Sequence, residues 1–139
     1  MRQAHPGQAL LLVVLLMTLL LSLIGVLVDG GVLLVHRREL QNTADAAARA
    51  GAARLDEGTY RSSGGRRVVL HHVSARAEAE RYLDLKDTSG RVSVGREKVT
   101  VVATRDVDLA FLEMFGLRTV RVRTRAETML QHGVGGPEG

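Results

Sequence analysis

Residues 9–28 read ALLLVVLLMTLLLSLIGVLV, twenty positions with no charge and mostly Leu or Val. A helix rises 1.5 Å per residue, so this run covers roughly the 30 Å hydrocarbon core of a bilayer. No other part of the 139-residue chain is large enough to wrap such a helix as the core of a soluble domain. A cleavable signal peptide is the better rival. Its apolar core is usually only about 7–15 residues, with a small-x-small site close behind. Here the run ends in Val28-Asp29-Gly30-Gly31 and resumes over Val32 to Val35. The expectation is a retained transmembrane span at 9–28, preceded by a short leader or cytoplasmic segment at 1–8.

The helix is expected to continue past the span as an amphipathic extension over 29–57. Gly30-Gly31 weakens it locally, but Val32 to Leu55 is rich in Leu, Ala, Arg, Glu and Gln and holds no Pro. Ala44, Ala48, Gly51, Ala52 and Leu55 fall at i, i+4, i+7, i+8 and i+11, one helical face, with Arg38, Gln41, Asp45 and Arg49 on another. Span and extension together predict a rod of roughly 70 Å. Within the span, Thr18, Ser22, Gly25 and Asp29 repeat the same spacing. Small residues let helices approach in lipid, and membrane acids usually face partners. The stripe therefore reads as a packing face, along with Ala44, Ala48, Gly51 and Ala52. The plainer alternative places Asp29 at the headgroups.

A flexible linker is expected at 58–72, where GTYRSSGGRR breaks the pattern. A small α+β domain then follows over 73–130. Val73 to Lys86 reads as a short helix with Ala75, Ala79, Tyr82 and Leu83 as its apolar stripe, ended by a turn at Asp87-Thr88-Ser89-Gly90. Three strands come next. Arg91–Val94 and Glu97–Arg105 are joined by a two-residue loop at Gly95-Arg96. Thr119–Ala126 puts Val120, Val122, Thr124 and Ala126 inward and Arg121, Arg123 and Arg125 outward. Leu109 to Leu117 is a hydrophobic turn, a knob on an otherwise thin core. The Gly-rich tail, 131–139, is expected to be disordered. The fold class is α+β: a long N-terminal helix, then a short helix on a small antiparallel three-stranded sheet.

Composition narrows the function. Four aromatic residues and no Trp make a core too small for a catalytic cleft of ordinary size. With no cysteine, disulfides, Cys-based zinc sites and thiol catalysis are excluded. His71-His72 has no marked third ligand, so no metal site is expected. No enzyme activity, cofactor or small-molecule substrate is expected either. The net charge of +4 comes from arginine, lysine occurring only at Lys86 and Lys98. The Arg121, Arg123, Arg125 row could meet an acidic polymer or lipid. No aromatic residue interleaves it, so nucleic acid is not expected, and the preferred reading is a solvated strand face that resists aggregation. Charge leaves topology open, with Arg2 and His5 before the span and Arg37 and Arg38 after it.

Three stretches carry a family resemblance. Gly7-Gln8-Ala9-Leu10 opens directly into the span. Val28-Asp29-Gly30-Gly31 closes it, and Leu40-Gln41-Asn42-Thr43-Ala44-Asp45-Ala46-Ala47-Ala48-Arg49-Ala50-Gly51-Ala52 follows. An alternating strand, a Phe-Leu-x-x-Phe-Gly turn and a second alternating strand complete the pattern. In these the chain resembles the TadE/TadG-like minor pilins, or pseudopilins, of the tight-adherence (Flp) pilus system. The resemblance implies a single-pass protein of the cell membrane with its C-terminal domain extracytoplasmic. It also implies a place in a pilus or secretion machine serving adhesion, with other pilins or pilus-assembly membrane proteins met through the N-terminal helix. Gly7 is where prepilin processing would fall. Processed members tend to carry Glu at the position held here by Leu12, which argues against cutting. The alternative function is a stand-alone anchored module whose basic sheet face binds an acidic envelope polymer or lipid.

Overall fold

The computed structural model describes residues 6–61 and 65–129, with side chains over 7–55 and 71–129. The chain runs as helix α1 (Pro6–Arg61), helix α2 (Gly65–Leu85), strand β1 (Ser89–Val94), strand β2 (Lys98–Asp108), a 3-10 turn (Leu112–Phe115) and strand β3 (Thr119–Met129). The sheet order is β1-β2-β3, and the class is α+β as expected. Pro6 opens α1 where its missing N–H costs nothing. Gly30 and Gly31 do not interrupt the helix: two glycines weaken it, but the Leu-rich turns before them and the Leu, Arg, Glu and Ala of the turns after them are good helix formers.

Helix was expected to end at 57 and restart at 73, yet α1 reaches Arg61 and α2 starts at Gly65. Residues 62–64 lie outside the described part, as do 1–5 and the tail 130–139. The hairpin also differs by one residue. Val94 pairs with Val99 and the Gly95 N–H donates to the Lys98 carbonyl at 2.8 Å, so the loop is Arg96-Glu97 rather than Gly95-Arg96. Neither loop residue has positive φ, so this turn does not use the glycine that seemed to mark it. The strands begin or end up to three residues beyond their expected limits, β2 running on to Asp108 and β3 to Met129.

Two compact units divide the chain. One comprises Met1–Val35 and Val107–Val120, the other His36–Asp106 and Arg121–Gly139. The second unit owns the hydrophobic core. From α1 it takes Leu40, Ala44, Ala47, Ala48 and Ala52; from α2, Ala79 and Leu83; from the sheet, Val92, Val99, Val101, Ala103 and Ala126. Alanine at every fourth α1 position keeps the helix thin, so backbones pack closely where there are few large side chains. Gly51 marks the tightest approach, since a Cβ there would lie 2.9 Å from the Ala75 carbonyl oxygen and 3.2 Å from the Ala79 Cβ. Polar bonds fix the arrangement at its edge. Arg105 reaches Glu39 at 3.1 Å and Thr88 at 3.0 Å, and the Thr124 hydroxyl donates to the Gln41 side-chain oxygen. Asp87 (φ 47°) closes the α2–β1 turn in the left-handed region that Asp tolerates.

Candidate functional site

The first unit contains the feature that matters most. Helix α1 brings Asp29 to the end of a long apolar run, and the chain returns through Leu109–Leu117 to lie on it. The Asp29 carboxylate accepts three backbone N–H bonds: from Ala110 at 3.2 Å, Phe111 at 2.9 Å and Leu112 at 2.7 Å. These donors precede or open the 3-10 turn, where N–H groups have no partner within the turn itself. Asp29 is only 2 % exposed. One turn earlier, Gly25 leaves room for the Phe111 ring; a Cβ there would fall 2.3 Å from the ring carbon Cγ. Phe111 in turn meets Phe115, their centroids 5.9 Å apart and tilted by 48°. Gly116, at φ +90°, ends the turn, and its N–H donates to the Glu113 carbonyl at 2.9 Å. That conformation strains any residue with a Cβ.

The expected packing stripe therefore has two parts. Gly25 and Asp29 are covered by the chain's own insert. Ser22 is half-buried, and Thr18 is exposed with its hydroxyl turned back to the Val14 carbonyl at 2.9 Å. Ala44, Ala48, Gly51 and Ala52 lie in the core of the second unit, against α2 and the sheet. They do form a packing face, but its partners belong to the same chain. Gly7 sits on α1 with nothing within 4 Å of a Cβ placed on it.

The sequence reading found both Asp29 and the Phe-Leu-x-x-Phe-Gly insert but did not join them. The donors at Ala110, Phe111 and Leu112 are backbone groups and leave no side-chain signature. The available clue was the coincidence of a lone acid in an apolar helix with an apolar turn whose first N–H groups need acceptors.

On β3, Arg121, Arg123 and Arg125 all point outward, but the row is not a free cationic surface. Arg121 grips Asp106 across the sheet through two bonds, at 2.8 and 3.1 Å. These bonds, more than charge alone, hold the Asp106 carboxyl below its ordinary value and raise Arg121. Arg125 pairs with Glu127, its Nε at 3.1 Å, and Lys98 adds a contact at 3.9 Å. Glu127 is held below its ordinary value, first by the Arg125 hydrogen bond and then by the two positive charges. Among the described residues, Arg123 alone of the three lacks an acidic partner. His71 and His72 are adjacent on α2, half-buried, and turned about 100° apart by the helix.

From Leu10 to Val28 the large apolar side chains of α1 are 47–71 % exposed. An apolar surface of that extent marks a membrane or partner contact. Among the described residues, α1 is the one helix long and apolar enough to cross a membrane, by a test of length and composition that a signal sequence also passes. These features define a class: an α+β chain with a single candidate membrane anchor near its N-terminus. Residues 7–54 match the family described as "Tad: Putative Flp pilus-assembly TadE/G-like". Over that segment the chain is similar to a Tad-type pilus-assembly family, and with the apolar helix this supports a pilus-related membrane protein. No curated protein and no solved structure matches the chain.

Proposed function

We propose that this chain is a membrane-anchored minor pilin or assembly component of a bacterial tight-adherence (Flp-type) pilus machine. It works by helix–helix packing and not by catalysis. The observation that carries this reading is the exposed apolar run of α1, Leu10 to Val28, lying inside the matched residues 7–54. In this reading α1 is a retained single span and the C-terminal domain is extracytoplasmic, as export in this family implies.

Gly25, Asp29, Ala44, Ala48, Gly51 and Ala52 are engaged within the chain, which supports reading the span surface that carries exposed Thr18 and half-buried Ser22 as the face for other pilins or assembly membrane proteins. Close approach there relies on the small side chains of Thr18 and Ser22. Purification of the tagged full chain from membranes in mild detergent tests the reading. Co-recovery of a secretion ATPase or polytopic pilus-platform proteins is expected; recovery of a lone monomer from cells that assemble the pilus contradicts it.

A further inference from the structure

The insert Leu109–Leu117 exposes apolar side-chain surface beyond the contacts that hold it to α1. Met114 is 79 % exposed, Phe115 67 % and Leu117 55 %. All three belong to the same compact unit as the first 35 residues of the chain. The insert is fixed against α1 at Gly25 and Asp29, through the Phe111 ring and the three bonds to the Asp29 carboxylate.

Its depth along the helix follows from that attachment. Beyond Asp29, α1 still exposes Val32, Leu34 and Val35 before the first cationic cluster at His36-Arg37-Arg38. His36 lies seven positions beyond Asp29, about 10 Å of helix. With the Asp29 carboxylate occupied by backbone donors, the apolar belt of α1 runs from Ala9 to Val35. The insert lies beside α1 at Gly25 and Asp29, within that belt.

Its backbone goes most of the way to the condition lipid imposes, that polar main-chain groups be satisfied within the protein: seven of its nine N–H groups have an acceptor. Three donate to Asp29, and those of Leu109, Met114, Gly116 and Leu117 donate to backbone carbonyls at 2.9–3.2 Å. Glu113 and Arg118 pair at 3.5 Å and are well exposed, long enough to reach the headgroups while the apolar residues lie deeper.

We propose that Leu109–Leu117 is a second membrane contact: a docked lip that places Met114, Phe115 and Leu117 at the boundary between headgroups and acyl chains, in the leaflet on the domain side. The occupant is lipid because the patch belongs to an insert fixed on the span's own helix, at Gly25 and Asp29. Interfacial elements of this kind sit about 5–10 Å into that boundary. The lip holds the chain at fixed depth and blocks one side of α1 at Gly25–Asp29. This inference rests on α1 spanning the membrane.

The chain contains no Trp, so a single introduced Trp reports without background. The full chain is reconstituted in vesicles of phosphatidylethanolamine and phosphatidylglycerol brominated either near the carbonyl or near the terminal methyl of the acyl chain. Phe115→Trp, with Met114→Trp as a second reporter, is expected to show blue-shifted emission that the shallow bromines quench strongly and the deep ones weakly. Leu19→Trp is expected to show the reverse order. Deep quenching of Leu19→Trp, with water-like and unquenched emission from both lip reporters, overturns the lip and leaves the span standing. Blue-shifted but unquenched lip reporters mean a protein neighbour, such as a second copy, and overturn it too. A Leu19→Trp reporter quenched by neither lipid removes the span, and the lip with it.

Discussion

Replacing Asp29 with Ala removes a single acceptor group that serves three donors. The bonds run from Ala110, Phe111 and Leu112 at 3.2, 2.9 and 2.7 Å. A hydrogen bond to a charged group contributes about 1.5–3 kcal/mol net, and a buried donor left unpaired costs about 1–3 kcal/mol. Two of the donors share one oxygen, so the contributions do not simply add. About 4 kcal/mol is a reasonable total, which shifts the docked-to-undocked ratio about a thousandfold. The cost stays local, because the insert can leave the helix while the core around Val99, Val101 and Ala103 remains intact. Hydrogen exchange of the full chain in lipid nanodiscs reads this directly. In Asp29→Ala the amides of Ala110–Leu112 exchange about three decades faster, while those of β2 in the second unit are unchanged. Asp29→Asn lies between, since its amide keeps one acceptor oxygen but turns an NH2 group toward a donor. Unchanged protection at residues 110–112 in Asp29→Ala would refute the argument, and equal loosening of both units would show that docking is not local.

Other consequences follow from the same contacts. Gly25→Ala places a methyl within 2.3 Å of the Phe111 ring and displaces it; exchange at Phe111 rises, and adding Phe111→Ala brings it partly back, because the clash is removed while the Asp29 bonds stay. Ala48→Leu overpacks a fully buried position and costs about 1–3 kcal/mol in chemical unfolding of the sheet domain. A mutant that loses pilus assembly with unchanged domain stability would contradict this placement. Asp106 and Glu127 have lowered values in the folded chain, so their pairs stabilise at neutral pH and the contribution is lost as pH falls through those lowered values. An NMR titration of the Asp106 carboxyl should move up toward its ordinary value in Arg121→Ala, and no movement would contradict the pairing.

Periodicity made much of the fold legible. The four-residue spacing of Ala44, Ala48 and Ala52 gave the buried face of α1, and alternation through Val99, Val101 and Ala103 gave the inner face of β2. What periodicity does not say is which surface covers a face. The same small-residue stripe serves a neighbouring chain or a neighbouring sheet, so Ala44–Ala52 suggested an intermolecular contact where the structure places α2 and the strands. Likewise Gly25 was read as room for a helix, and it is room for an aromatic ring. The hairpin turned one residue later than its glycine implied because the cross-strand register is set by the valine pairs. The basic row looked free because its partners, Asp106 on the next strand and Glu127 two residues away, are brought alongside only by folding.

In the proposed role, α1 is a packing helix of a pilus machine and meets its partners through the exposed surface of the span. The absence of cysteine makes the test clean. Single cysteines at Thr18, Ser22, Ala44 and Ala48 are crosslinked in cells that assemble the pilus, and the products are identified by mass. The account predicts adducts with pilus-assembly membrane proteins from positions 18 and 22 and none from 44 and 48. Adducts from 44 and 48, or none from any position, would contradict it.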